Sequence, residues 1–345
     1  MANRRFPAEW EPQQGILLCF PHNGNDWPGK YGAVQWAFVE FIKKVSAYEM
    51  VYLVVADENL REKVGEMLDL ATVDPKKISF IIQRTNRSWM RDSGPIIVKN
   101  GKKREALNLN FNGWAKYGNH KLDRQVPQTV AAHLKIPLVP VIHHGKNVVL
   151  EGGALEVNGK GTLITSEECL LHPDIQVRNQ GFTKEDYEAI FKEYFGITNT
   201  IWLRDGIIGD DTHGHIDDLC RFVNEETVVT VVENDKNDKN HAPLQENLAR
   251  LEKAVLENGK PLKIIPLPMP SKIIFDGLQL PASYANFLIL NNCVLVPTFN
   301  DAADRIALAK LADCFPDREV IGISATDFIW GFGTLHCLSQ QIPLS

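Results

Sequence analysis

Apolar residues along this chain follow two rhythms in turn, an alternation of period two and a spacing near 3.6, in one recurring order: strand, turn, strand, amphipathic helix, strand. GPIIVKNG predicts a strand ending in an Asn-Gly turn, EALNLNF its partner, the stretch around Val126 to Leu134 a helix, and IPLVPVI a returning strand. The next stretch repeats the order. GALEVNGKGTLIT predicts a hairpin turning at Asn158-Gly159, followed by CLL, a helix from about Lys184 to Tyr194 capped by Thr183, and the strand TIWL. A further copy runs from DLCRFVNEETVVTVVEN through the helix LQENLARLEKAVLENG, with Gly259 as its C-terminal stop, to LKIIPLP. Another runs from YANFLILNNCVLVPTF through AADRIALAKLADCF to EVIGIS.

The two remaining stretches complement each other. TLHCLSQQ predicts a strand without a partner, whereas GILLCFP lacks a preceding strand but is followed by a helix, Ala33 to Ser46, and the strand VYLVVAD. Joined, they make a fifth unit. The chain therefore predicts an α/β ring of five ββαβ units, one domain over residues 1–345 whose N- and C-terminal segments complete a single blade. No Gly/Ser-rich linker divides it. Alternation of strands and helices by itself also fits a doubly wound sheet.

Composition narrows the class. Hydrophobic residues at 44% and charged residues at 23% describe a folded protein with a large core. A net charge of -6 leaves no basic footprint for nucleic acid or an anionic membrane, and suits a cationic small molecule. The six cysteines (Cys19, Cys169, Cys220, Cys293, Cys314, Cys337) form no CxxC pair, and five of them read as buried free thiols. No apolar run approaches a membrane span. A reducing, cytoplasmic setting is the expectation, with no nucleic-acid or membrane partner.

In a cyclic array, residues at the entrance to the first strand of each unit converge on the axis. Those positions hold Asp92 in WMRDSGP, Glu151 in VLEGGA, His215 and Asp217 in THGHIDD, Ser283 or Tyr284 in LPASYAN, and Cys337 in GTLHCLS. Asp92, Glu151 and His215 lie 59 and 64 residues apart, and Cys337 follows after two further steps of 61. Each member alone has an ordinary explanation: carboxylates before Gly-rich turns cap them, and an interior cysteine or histidine is usually core. Their joint placement is what points to a site.

A cysteine and a histidine in one cleft offer a thiolate nucleophile with a general acid and base. Carboxylates around a thiol oppose its ionisation, and a cationic substrate offsets them. A guanidinium meets that requirement, because it is planar, permanently charged and donates paired hydrogen bonds to carboxylates such as Asp92 and Asp217. Trp89 and Trp114 are candidate aromatic walls for the cation. A different class also fits: His213, His215 and Asp217 with Glu151 as ligands of a divalent metal in an amidohydrolase, a reading that leaves Cys337 idle.

The motifs WMRDSGP, FNGW, EGGALEVNGKGTLITSEECLL, GDDTHGHIDD and GTLHCLSQQ, with the opening FPAEWEPQQGILLCFP, resemble those of the Porphyromonas-type peptidylarginine deiminase family, and within it the agmatine deiminases, over essentially the whole chain. The resemblance implies the pentein fold, a five-bladed α/β propeller with its site on the axis. It implies hydrolysis of agmatine to N-carbamoylputrescine and ammonia, an early step from arginine towards putrescine, without metal or organic cofactor, in a homo-oligomer such as a dimer.

Carried over by residue, it makes Cys337 the nucleophile on the guanidinium carbon. His215 protonates the departing ammonia and then activates the water that resolves the thiouronium intermediate. Asp92 and Asp217 hold the guanidinium nitrogens, and Glu151 orients or charges the histidine. Gly152 and Gly153 let backbone approach the substrate, and Gly333 joins Trp89 and Trp114 in the substrate-binding set.

Many relatives read GGGNIHC where this chain has GFGTLHC, and EPHEGTWMLWP where it has EPQQGILLCFP. Phe332 and Thr334 thus bear on the outer pocket, leaving open agmatine, free arginine or peptidyl arginine as substrate. An amidinotransferase and a non-catalytic ring are the other outcomes within the superfamily.

Overall fold

A computed structural model describes residues 4–345; the first three positions of the expected 1–345 domain lie outside the described residues. Five sheets carry the architecture, each built from an antiparallel pair followed, across a helix, by a parallel strand. The sheet order Arg4–Arg5, Ile96–Asn100, Lys103–Asn108, Leu138–Pro140 is bridged by the helix Val126–Leu134. The next has Glu156–Val157, Thr162–Ser166 and Asn199–Leu203, with the helix Lys184–Ile190 continuing as a π turn over Phe191–Phe195. Cys220–Asn224, Thr227–Val232 and Lys263–Pro268 follow, bridged by His241–Glu252, and then Leu288–Ile289, Cys293–Thr298 and Glu319–Ser324, bridged by Ala303–Cys314.

The fifth sheet unites distant parts of the chain. Ser339–Pro343 pairs antiparallel with Gln13–Cys19 (Leu18 opposite Ser339, Gln13 opposite Pro343), and Met50–Val55 and Ile78–Ile82 add in parallel. Its helix Tyr31–Ser46 buries Val34, Phe38, Phe41, Ile42 and Val45, a stripe at helical spacing laid on the sheet. Inner strands read almost without polar interruption because both faces are covered: in the fifth sheet Ile16, Leu18, Val51 and Leu53 pack with the helix, and Leu17, Cys19, Tyr52 and Val54 pack with Met90, Ile97, Val126 and Val130 of the neighbouring unit. Ile16 to Phe20 and Val51 to Val55 are buried throughout.

Several local expectations need correction. The fifth sheet has an additional helix, Glu58–Leu70, and strand, Ile78–Ile82, beyond VYLVVAD. CLL lies in a short helix, Glu167–Leu171, because the Ser166 hydroxyl caps the Cys169 N–H. The helix expected to stop at Gly259 ends at Glu252. Beyond it the backbone folds on itself, with Leu256 N–H bonded to the Lys260 carbonyl at 2.9 Å. Glu257 is held by Thr162 at 2.6 Å and Asn158 at 2.9 Å, which draws the segment towards the neighbouring sheet. Gly259 serves that turn with a φ of 78°. The strand expected over TLHCLSQQ begins only at Ser339, so Cys337 stands in the turn before it. Among the described residues no helix is long and apolar enough to cross a membrane.

Candidate active site

Tight turns deliver the side chains to the axis. Asp92 lies in the helical turn Met90–Ser93, Glu151 precedes the turn Gly152–Ala154, and His215 precedes the turn Ile216–Asp218 that carries Asp217. Each turn leads into the first strand of its unit, so equivalent turns set equivalent side chains around one centre. Asp92, Glu151, His215, Asp217 and Cys337 are all buried.

Cys337 and Asp92 open onto a pocket of about 350 Å³, whose wall includes Trp89, Trp114, Phe332 and Gly333. Trp114 donates its indole N–H to Asp92 Oδ2 at 2.9 Å, and the Gly153 N–H donates to Oδ1 at 3.1 Å, so the carboxylate is fixed from both sides. Burial, with Asp217 and Glu151 adding to it against the pull of His215, pushes Asp92 up to about 6.

His215 stands between two acids, its Nδ1 3.8 Å from Asp92 Oδ1 and its Nε2 3.9 Å from Glu151 Oε2. Among the described residues neither ring nitrogen has a hydrogen-bond partner, and neither does Glu151 Oε2. Burial works against an imidazolium here, yet the charge of Asp92, with Cys169 and Glu151 close by, holds the ring well above the ordinary histidine range. Glu151 itself stays low, about 2, because Arg178 and His215 outweigh its burial; Arg178 Nε donates to its Oε1 at 3.0 Å.

The Cys337 sulfur accepts the Asn286 amide N–H at 3.0 Å and lies 3.6 Å from Asp217 Oδ2. Burial first, then Asp217, Asp218 and Asp92, push its thiol well above the ordinary range, with the Asn286 amide acting the other way. Behind the thiol, His336 places Nδ1 2.7 Å from Asp217 Oδ2 and Nε2 2.8 Å from Glu9 Oε2. Glu9 is further held by the buried Arg221 at 2.6 Å. Acidic side chains thus surround a thiol whose ionisation they oppose, an arrangement that gains from an entering cation.

Three expectations change. Gly152 and Gly153 do not line the pocket. A Cβ on Gly152 would meet the Arg91 carbonyl at 2.3 Å, and one on Gly153 would meet His215 Nδ1 at 2.4 Å, so these glycines make room for neighbouring protein groups. Thr334 also lies behind the wall, its hydroxyl donating to Asn286 Oδ1 at 2.7 Å, whereas Phe332 does face the pocket.

The fifth entrance is occupied by Asn286 in place of Ser283 or Tyr284. Ser283 bonds the Asp218 carbonyl at 2.7 Å, and Tyr284 reaches outward to Asp304 at 2.7 Å. Asn286, Arg178, His336, Glu9 and Asp218 are the members that sequence reasoning missed. Asn286 alone had a usable signal, as the polar residue set in the apolar run YANFLI.

The residues offered for an amidohydrolase metal do not converge. His213 Nδ1 turns to Glu168 Oε1 at 2.9 Å. Among the described residues, the groups bringing three ligand atoms within 4.8 Å of one another are Glu151 with Cys169 and His215, Asp217 with Asp218 and Cys337, and His143 with His144 and Asp186. His215 and Asp217 fall in different groups, and His213 in none.

The model of the Porphyromonas-type peptidyl-arginine deiminase family matches residues 5–343. A Marinomonas sp. (strain MWYL1) protein named "Putative agmatine deiminase" is 33% identical, over 98% of this chain and 94% of that protein. The structure of the Enterococcus faecalis agmatine deiminase superposes with a TM-score of 0.90 at 29% identity, covering 99% of this chain and 96% of that one. A cysteine-to-serine variant of the C. jejuni agmatine deiminase with substrate bound gives 0.87 at 30% identity, covering 98% and 96%.

Proposed function

Because the chain belongs to the Porphyromonas-type peptidyl-arginine deiminase family, we propose that it hydrolyses the guanidinium group of agmatine, giving N-carbamoylputrescine and ammonia. The observation that carries this reading is the meeting of Cys337 and Asp92 in one pocket with the unpaired ring of His215 buried beside them.

In this reading Asp92 and Asp217 hold the guanidinium, whose charge offsets theirs and lowers the cost of ionising Cys337. As the cation enters, the Cys337 proton is released to solvent, and the thiolate attacks the guanidinium carbon to form a tetrahedral adduct. His215, kept protonated by its acidic surroundings, gives a proton to the leaving nitrogen of that adduct, and ammonia departs to leave an S-alkylthiouronium. The ring then takes a proton from water, whose oxygen adds to the same carbon as the sulfur leaves. Glu151, anchored by Arg178, keeps the imidazolium favourable throughout. Trp89, Trp114 and Phe332 flank the substrate's methylene chain.

One observation favours free arginine as a second reading: Arg87 lines the same pocket and is a potential partner for a carboxylate. Its guanidinium is already engaged by Asp26 and lies over the Tyr117 ring at 4.1 Å, so agmatine remains the preferred substrate. Ammonia release from agmatine, free arginine and a blocked peptidyl arginine, assayed side by side, tests this. Agmatine is expected to lead in kcat/KM, and a lead by arginine overturns the assignment. Cys337→Ser is expected to abolish turnover while the folded spectrum is kept; substantial residual turnover would remove Cys337 as nucleophile.

A further inference from the structure

His144-Gly145 forms the tip of a small hairpin, Ile142–His143 with Lys146–Asn147, away from the pocket. Both rings point their Nε2 at a single atom: Asp186 Oδ1 lies 3.0 Å from that of His143 and 2.9 Å from that of His144. The ring centroids are 4.1 Å apart, and Phe182 packs against both. The other carboxylate oxygen of Asp186 accepts the Thr183 N–H at 2.9 Å in a capping box, which fixes the direction of Oδ1.

We propose that His143, His144 and Asp186 form a binding site for one transition-metal dication of the zinc class. Two imidazole nitrogens and a carboxylate oxygen are the donor set such ions take. A tetrahedron with metal–ligand bonds of about 2.0–2.1 Å has edges of about 3.3 Å, so the two Nε2–Oδ1 separations need to open by only a few tenths of an ångström. The three ligand atoms already lie within 4.8 Å of one another. Without the ion each Nε2–H donates to Asp186; on binding that proton leaves Nε2 and the neutral ring keeps its proton on Nδ1, which frees the Nε2 lone pair for the metal, and water completes the coordination. His143 and Asp186 are partly exposed and His144 is largely so, which leaves the ion an open path and room for that water. The ion would pin the hairpin to the helix Lys184–Ile190.

Calorimetric titration of the full chain with Zn²⁺, paired with the visible spectrum of a Co²⁺ titration, tests the proposal. One ion per chain is expected, with affinity lowered at least about tenfold in His144→Ala and again in His143→Ala, and with the melting temperature raised by the ion in the parent only. Agmatine turnover is expected to be the same in His144→Ala as in the parent. Absence of binding, or undiminished affinity in both variants, overturns the site. So does an ion whose binding tracks loss of turnover, because that outcome puts it at the buried groups around Cys337 or His215.

Discussion

Cys337 has Asp217, Asp218 and Asp92 around it, and each of those charges, added to burial, raises the cost of ionising its sulfur until a cation enters the pocket. The thiol of the free protein is therefore expected to react slowly with neutral iodoacetamide at pH 7, and a cationic amidine electrophile of similar size is expected to alkylate it at least about tenfold faster. Equal rates, read by mass spectrometry of the Cys337 peptide, would show that charge plays no part. Asp92 sets a second expectation. Its carboxyl, raised to about 6, is ionised above that pH and gains a proton below it, so kcat/KM should fall as the pH drops through about 6. In Asp92→Asn that limb should disappear, with kcat/KM lower by roughly 10²-fold.

The one-turn helices that precede the first strands set the proposed catalytic side chains, and in the turn Gly152–Ala154 the glycines keep the space that those side chains occupy. Gly153→Ala puts a methyl against His215 and Asp92, so turnover is expected to drop by at least about tenfold while circular dichroism changes little. Wild-type kinetics for that variant would mean that the ring can shift freely. The ββαβ order was legible because buried strands and one-sided helices leave different periods in the sequence, and the entrances followed from the order. Asn286 was displaced to Ser283 or Tyr284 because the length of an entrance turn leaves no such period. Arg178 and Glu9 were illegible for a related reason: Arg178 reaches Glu151 from an irregular loop 27 residues on in the same unit, Glu9 reaches His336 across 327 residues by closure of the ring, and neither contact has a local signature. Phe332, with a φ of 68°, occupies a left-handed position that favours glycine, and a bulky side chain there narrows the pocket wall at some cost in backbone strain.

Between the sheets lies a buried polar cluster centred on Arg221. Its guanidinium donates to Glu9 at 2.6 Å, to Glu156 at 2.7 Å, and to the carbonyls of Phe287 and Ala285 at 2.7 and 3.1 Å. Four separate parts of the chain thus meet on one side chain. Arg221→Ala strands two buried carboxylates and is expected to destabilise the protein by roughly 3–5 kcal/mol, measured by urea unfolding followed at once by tryptophan fluorescence and circular dichroism. The two probes should give one coincident transition, because the cluster ties the sheets that carry Glu156, Arg221 and the segment at Phe287 to one another and to the N-terminal segment at Glu9. Non-coincident transitions would show that the sheets unfold separately.

The same closed account of charge limits how such a sequence can drift. Replacing Glu9, Glu156 or Arg221 singly leaves the others unmatched where all three are buried, so these three positions are expected to vary together across diverging descendants, although 212 residues separate Glu9 from Arg221. A change at one becomes tolerable only in a lineage that has already altered another, and their history should read as paired replacements instead of independent ones.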